Sequence, residues 1–457
     1  MKRFLLTLLI LISLVGFAFA TGGAEEGGDE EAVMGPQDPD SDDPVLRAGL
    51  PAIPGDEVAI EMITSISGDA EQYVQTFLEE VVGLHYPNVT VEYQPGGSSE
   101  LAQVINTRIA GGNPPELALV SASYYVADWV QAGAIRTMGD YWDQYNLTDL
   151  VPAGIQNTYR FGGELYGIPV GVGAANLYFW NSNVLNAANT PLPPYETWDD
   201  FFSAAETFAE NSDLPFYVEG YTPAWFGMAK TLMLAASRFP IELTQRILNG
   251  EGTADDFESI LEFHKEVIDR TANEDYVSVN AISGVMEVIG RSDGATAFGG
   301  TWGYPRFINN DLVQGEEWDM GRLPGEDVFT FVPLGMFSFE NTGNEEVSDA
   351  VALTASLKTT QVTLNVPRGS APTRTDVDPA TFPNEGRAPA ALVVMDRLSR
   401  ATSVPRAVAG LPSIVHQEFP APFSGFISGS MTIDEAVEQI LDIQERHQGR
   451  YAIDWTF

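Results

Sequence analysis

The chain has no cysteine, so neither a disulfide framework nor a thiolate metal site can be built from its 457 residues. The same absence removes the thiol that a lipid-anchored secreted protein needs just after its leader. Histidine is nearly as scarce: His85, His264, His416 and His447 stand singly on helix or loop patterns, and none belongs to an H-E-x-x-H metal motif. There is no Walker-type phosphate loop. No cofactor and no metal are expected. Positive charge is the third shortage. Lys and Arg number 23 against 64 Asp and Glu, a formal charge of -41, and only Lys2, Lys230, Lys265 and Lys358 are lysines. Phosphate backbones are gripped by clustered Lys and Arg, so nucleic acid is disfavoured as a partner.

Carboxylates at this density repel one another in dilute buffer and are screened as salt rises. The melting temperature is therefore expected to climb from low to molar salt. A flat or falling curve would contradict a surface suited to saline surroundings.

What is present begins with a leader. Lys2 and Arg3 precede an apolar run, Phe4 to Phe19, that closes on Ala18-Phe19-Ala20. That order of charge, apolar run and small residues marks residues 1–20 as a secretory signal peptide cleaved near Ala20, and the run is short for a membrane span. Residues 21–54, rich in Gly, Pro, Asp and Glu, read as a disordered acidic linker. A chain of this length then calls for two lobes. The boundaries expected are 55–170 plus 323–357 for lobe 1, and 171–322 plus 358–457 for lobe 2.

From Val58 onward, strand and helix patterns alternate. Val58 to Ile63, Val89 to Tyr93 and Leu117 to Val120 read as strands, separated by amphipathic helices over Ala70 to His85 and Ser99 to Ala110. That alternation predicts an α/β fold with mostly parallel sheets, whose ligands lie beyond the carboxyl ends of the strands. The loops Thr64 to Asp69 and Ser121 to Tyr125 fall at such ends. Gly162 to Leu185 reads as a chain crossing between lobes: a strand, the flexible Gly171-Val172-Gly173, then a second apolar run ending Tyr178-Phe179-Trp180. Thr197 caps a helix opening Trp198-Asp199-Asp200, and helices follow over Trp225 to Ser237, Ala254 to Arg270 and Thr432 to His447.

The distinctive chemistry is aromatic. Tyr124, Tyr125, Tyr221, Trp225, Trp302 and Tyr304 fall at loop positions after strands. A sugar ring offers apolar faces and polar edges, which stacked aromatics and planar polar groups can bind. The alternative is that these rings simply fill two cores.

Several motifs in correct order resemble the extracellular solute-binding proteins of carbohydrate ABC importers. They are Gly111 to Glu116 (GGNPPE), Gly163 to Pro169 (GELYGIP), Asn176 to Asn181, Thr197-Trp198-Asp199-Asp200, Gly300-Thr301-Trp302, and Gly369 to Asp376 (GSAPTRTD). The resemblance is nearest to glucose and mannose binders, which have His-Arg where this chain has Gly173-Ala174 and an acid where it has Thr301. It implies a two-lobed periplasmic-binding-protein fold of type II character, with an interlobe cleft and a hinge of crossing strands. It also implies a monomeric, non-catalytic sugar binder that serves a membrane permease in the periplasm or outside the cell. Stacking is expected from Tyr124, Trp225, Trp302 and Tyr304, and hydroxyl contacts from Asp69, Asn176 and Arg374. A secreted carbohydrate-active enzyme using the same cleft is the alternative.

Overall fold

The computed structural model describes residues 35–96, 98–122, 124–281, 283–304, 312–325, 328–382, 388–400, 402–405 and 411–451. The expected signal peptide and the first part of the linker lie outside them.

Eleven strands occur among the described residues: β1 (Val58–Thr64), β2 (Val89–Pro95), β3 (Leu117–Ser121), the hairpin β4 (Arg160–Phe161) and β5 (Glu164–Leu165), β6 (Ile168–Ala174), β7 (Leu177–Asn181), β8 (Thr296–Gly299), β9 (Trp318–Arg322), β10 (Val328–Ser338) and β11 (Thr402–Pro405). The first sheet runs β11-β10-β3-β1-β2, with β6 also on β10. β1 is parallel to β2 and β3, as the alternating pattern predicts, whereas β10 runs antiparallel to both β3 and β6. In the second sheet, β8-β7-β9, both pairings are antiparallel. The sheets are therefore mixed: parallel pairing holds for β1 with β2 and β3 and for β10 with β11, and the remaining pairings are antiparallel. The crossovers among β1 to β3 are helices; the second sheet is instead built from chain segments that return in opposite directions.

The two sheets mark the two lobes, and the chain passes between them at β6 to β7, at β9 to β10, and a third time after β11, since the helices Pro420–Ile427 and Ile433–Arg446 pack with Ala224–Arg238. The glycines of the first crossing do not act as loose joints. Gly171 and Gly173 are paired with β10 inside a buried strand. A Cβ on Gly171 would fall 1.8 Å from Asn365 Oδ1, and one on Gly173 2.7 Å from Thr301 Oγ1. They are glycine because neighbouring side chains occupy the space, not because the backbone must bend.

Around the second sheet the cores are helical and aromatic. Trp198, Phe201 and Phe298 pack with Tyr178 in one cluster. A second cluster joins the helices Ala224–Arg238, Ala254–Thr271, Pro420–Ile427 and Ile433–Arg446. Thr197, Thr253 and Thr432 each cap a helix with a reciprocal carboxylate three residues on, so the first exposed backbone N–H groups of those helices are satisfied locally.

Two boundaries differ from the sequence expectation. Residues 35–54 are not wholly a structureless linker: Pro44–Ala48 is a helix, and Val45 and Leu50 are buried in the first core. The loop after residue 358 and strand β11 also return to the first sheet. Val172 and Ala371 exchange both backbone hydrogen bonds, at 2.8 and 2.7 Å.

Arg374 belongs to this seam rather than to a ligand site. Its guanidinium is buried, donating to Asp43 Oδ1 at 2.9 Å and to Asp376 at 2.7 and 2.8 Å. Asp43 also accepts from the backbone of Lys358 at 2.7 Å. The expected hydroxyl contact at Arg374 is thus replaced by an ion-paired clasp that holds the strap 35–54 on lobe 1. Arg374→Ala should cost about 2 kcal/mol, since a buried carboxylate loses its charged donor. The check is chemical denaturation, with protease cleavage within 35–54 as the second readout.

Candidate functional site

The site grows from the start of the helix Ala224–Arg238 and the turn Thr301–Gly303. Trp225 and Trp302 are each part-exposed, and buried Phe226 lies between them. The rings meet edge to face, 5.3 Å for Trp225 with Phe226 and 5.7 Å for Phe226 with Trp302, and His416 tilts against Trp225 at 5.9 Å. Two indoles thus flank a phenyl in one continuous wall. A Cβ on Gly300 would fall 2.2 Å from the Trp302 ring and 2.5 Å from the carbonyl of Ala174, so Gly300 leaves room for the indole edge beside the first crossing.

The hydroxyls of Thr301 and Ser370 both face the space a side chain at 173 would fill, at 2.7 and 3.7 Å. The small-residue gap read at Gly173-Ala174 is therefore closed by Thr301 and lined by two hydroxyls.

Other expected residues divide as follows. Asp69 lies in the turn Gly68–Ala70 beyond β1, and Tyr124 opens the helix Tyr124–Gln131 beyond β3; their side chains lie outside the described set. Tyr304 follows Trp302 but is buried, its ring edge-on to Trp318 at 5.3 Å and its hydroxyl donating to Gln314 Oε1 at 2.9 Å. It does not offer a stacking face. Asn176 is fully buried, with its amide bonded to β10 backbone, so it does not present that amide to a hydroxyl in this structure. Of the expected residues with described side chains, only Trp225 and Trp302 come together as an accessible surface. Phe226, Ser370 and His416 were not among the expected contacts, and Thr301 was read only as a departure from the glucose-type pattern. An apolar residue beside a tryptophan and isolated hydroxyls carry no periodic signal.

Beneath the wall lies a buried charge cluster. Glu219 accepts from Lys230 Nζ at 2.5 Å, from the Gly220 backbone at 2.6 Å, from the Tyr217 hydroxyl, and pairs with His264 Nε2 at 3.1 Å. Burial alone would raise the Glu219 carboxyl, but Lys230 and the converging donors outweigh it and hold it at about 2. His264 Nδ1 meets the Thr231 hydroxyl at 2.7 Å. Lys230 and Thr231 share the helix of Trp225 and Phe226, so the cluster fixes that helix on the helix Ala254–Thr271. Across from it, burial raises the carboxyl of Asp128 on the helix Tyr124–Gln131, against the opposing effects of the Ser413 hydroxyl and Arg450. The helices Tyr124–Gln131 and Ser413–Glu418 pack together there.

Nothing in this arrangement suits a nucleophile. Gly290–Gly294 spells G-x-S-x-G, but it turns from the helix Gly284–Gly290 toward β8, opposite in order to a strand-to-helix nucleophile turn. Its Ser292, at φ 64°, accepts from Asn181 Nδ2 at 3.0 Å. Among the described residues no group of three or more His, Cys, Asp and Glu could hold a metal ion.

The sequence model of the bacterial extracellular solute-binding proteins matches residues 70–335, more than half of the chain. The chain belongs to that family. This solute-binding protein is 24% identical over 329 residues to the xylose/arabinose-binding protein XacG of Haloferax volcanii, covering 68% of this chain and 69% of that one. It is 24% identical over 294 residues to a probable sugar-binding periplasmic protein of Rhizobium meliloti, covering 63% and 69%. Solved structures share its two-lobed fold. A chitin oligosaccharide binding protein superposes with a TM-score of 0.71 at 18% identity, over 86% of this chain and 100% of that one. The maltose/maltodextrin-binding domain of Bdellovibrio bacteriovorus, bound to maltotriose, gives 0.67 at 15% identity, over 85% and 99%. The family is one of solute binders, not of enzymes, and the secreted-enzyme alternative is set aside.

Proposed function

We propose that this solute-binding protein captures a sugar between its lobes and delivers it to the permease of an ABC importer. The observation that carries the reading is the wall of Trp225, Phe226 and Trp302, placed beside the first crossing, where closure would press a flat apolar face onto a sugar ring. The hydroxyls of Thr301 and Ser370 lie beside the first crossing but are themselves buried, so the stacking wall carries the reading. The ligand acts by binding the closed form more tightly than the open one. ATP hydrolysis belongs to a different subunit.

The protein works as a monomer outside the cytoplasm, after cleavage of the leader near Ala20. Among the described residues no helix is long and apolar enough to cross a membrane. The departures at Gly173-Ala174 and Thr301 argue against a glucose-type ligand, and the name of the Haloferax relative makes pentoses and their oligomers the first to try. A thermal-shift screen over xylose, arabinose, glucose, mannose, xylotriose and maltotriose, with chromatography of the recovered sugar, tests this. One sugar should raise the melting temperature and return unchanged. Conversion to product, or no shift with any of them, would defeat the proposal.

A further inference from the structure

We propose that Asn176 is a positioning residue that makes the β6 to β7 and β9 to β10 crossings move as one body. The ladder between β6 and β10 ends at Ala174 opposite Phe331, with one more backbone bond from Ala175 N to Thr330 O at 2.8 Å. The next ladder, between β7 and β9, starts at Leu177 opposite Arg322. Between these ends the first crossing has left the first sheet and not yet joined the second, while the facing segment of β10 from Val328 to Phe331 is already paired with β11. Asn176 sits at this gap.

Its carboxamide can present one of its two N–H groups together with its carbonyl oxygen, the same donor and acceptor pair that a backbone residue offers in a ladder. Nδ2 donates to Val328 O at 3.0 Å, and Oδ1 accepts from Thr330 N at 2.9 Å. The side chain therefore supplies the rung that the backbone lacks where the chain changes sheets. Its own carbonyl accepts from Arg397 Nη1 at 3.3 Å, and the Arg397 guanidinium lies 4.8 Å from the centre of the Phe329 ring. The helix Ala388–Arg400 thereby grips both crossings at the same level. Asn176 is fully buried, so water does not replace these bonds in this structure.

Two crossings tied at this point share one axis, and lobe motion is confined to opening and closing about it. Without the tie, each crossing twists separately and the lobes sample a wider range of orientations. Asparagine alone fits. Aspartate keeps the acceptor for Thr330 but sets a carboxylate against the Val328 carbonyl, and alanine leaves both backbone groups unpaired.

This inference rests on the two-lobed clamp but not on the identity of the ligand. The test uses the full chain without added sugar. Since the protein has no cysteine, Leu84→Cys and Leu192→Cys can carry spin labels with no background thiol; these positions are 72% and 43% exposed, one on each lobe. The labelled parent should give one narrow distance distribution. Asn176→Ala should broaden it roughly two-fold, and Asn176→Asp should broaden it less. An unchanged width in the folded Ala variant, even with a lowered melting temperature, would reduce Asn176 to an ordinary packing residue and overturn the proposal. If the Ala variant does not fold, an unchanged width in Asn176→Asp is decisive in the same sense. Failure here leaves sugar capture standing, and a negative sugar screen leaves the width comparison intact.

Discussion

Lys230→Ala is expected to lower the unfolding free energy by about 3–5 kcal/mol, because it strands the Glu219 charge in a dry interior. Both side chains are fully buried; burial pushes the Glu219 carboxyl up, and the lysine is the largest influence that outweighs it and holds the carboxyl at about 2, below its ordinary 4.5. The sign of the pH effect follows. A carboxyl depressed on folding contributes stability that is fully present above its unfolded value near 4.5, and this is lost as pH falls toward about 2. Wild-type stability should therefore slope downward through that window. In Lys230→Ala the slope should flatten, because the folded-state carboxyl rises toward or above its unfolded value. Denaturant melts of both proteins at intervals from pH 5 to pH 3 would show it. A loss under about 1 kcal/mol with an unchanged acid slope would mean that the cluster is far better solvated than its burial indicates.

Trp302→Ala should weaken the captured sugar by roughly 30-fold or more, the range of an aromatic at the centre of a binding surface. Trp302 is part-exposed and rests on the bare backbone of Gly300, so truncation removes a stacking face without opening the core behind it. Tyr304→Phe provides the contrast. It removes only a hydroxyl bonded to Gln314 in the interior, so melting temperature should fall while affinity stays within about three-fold. Calorimetric titration of both variants separates stacking from support. Equal affinities for Trp302→Ala and wild type would remove the indole from the site.

Much of the fold was legible because it rests on strong local patterns. β1, β2 and β3 and the intervening helices follow from periodicity, and the helix starts at Thr197, Thr253 and Thr432 combine a capping hydroxyl with a carboxylate three residues on. The antiparallel run of β10, and the return of β11 to the first sheet, depend on pairing between distant segments that no local pattern encodes. The two glycines of β6 show the limit from the other side. Glycine in a strand signals either bending or close approach, and only the positions of Asn365 and Thr301 decide between them.

The site was less legible than the fold. Trp225 and Trp302, the proposed stacking pair, stood out because large aromatics at loop positions are conspicuous. Asn176 and Arg374 were drawn toward the ligand because their polar groups suit hydroxyls equally well. The structure gives one to the crossing strand and the other to Asp43 and Asp376. A planar polar side chain reads the same from sequence whether it faces a sugar or a backbone.

The most direct measurement is the distance between labels at Leu84→Cys and Leu192→Cys on titration with the sugar that raises the melting temperature. That distance should shorten to a single saturating value and recover when the sugar is dialysed away. A distance unchanged at saturating sugar would contradict capture by lobe closure.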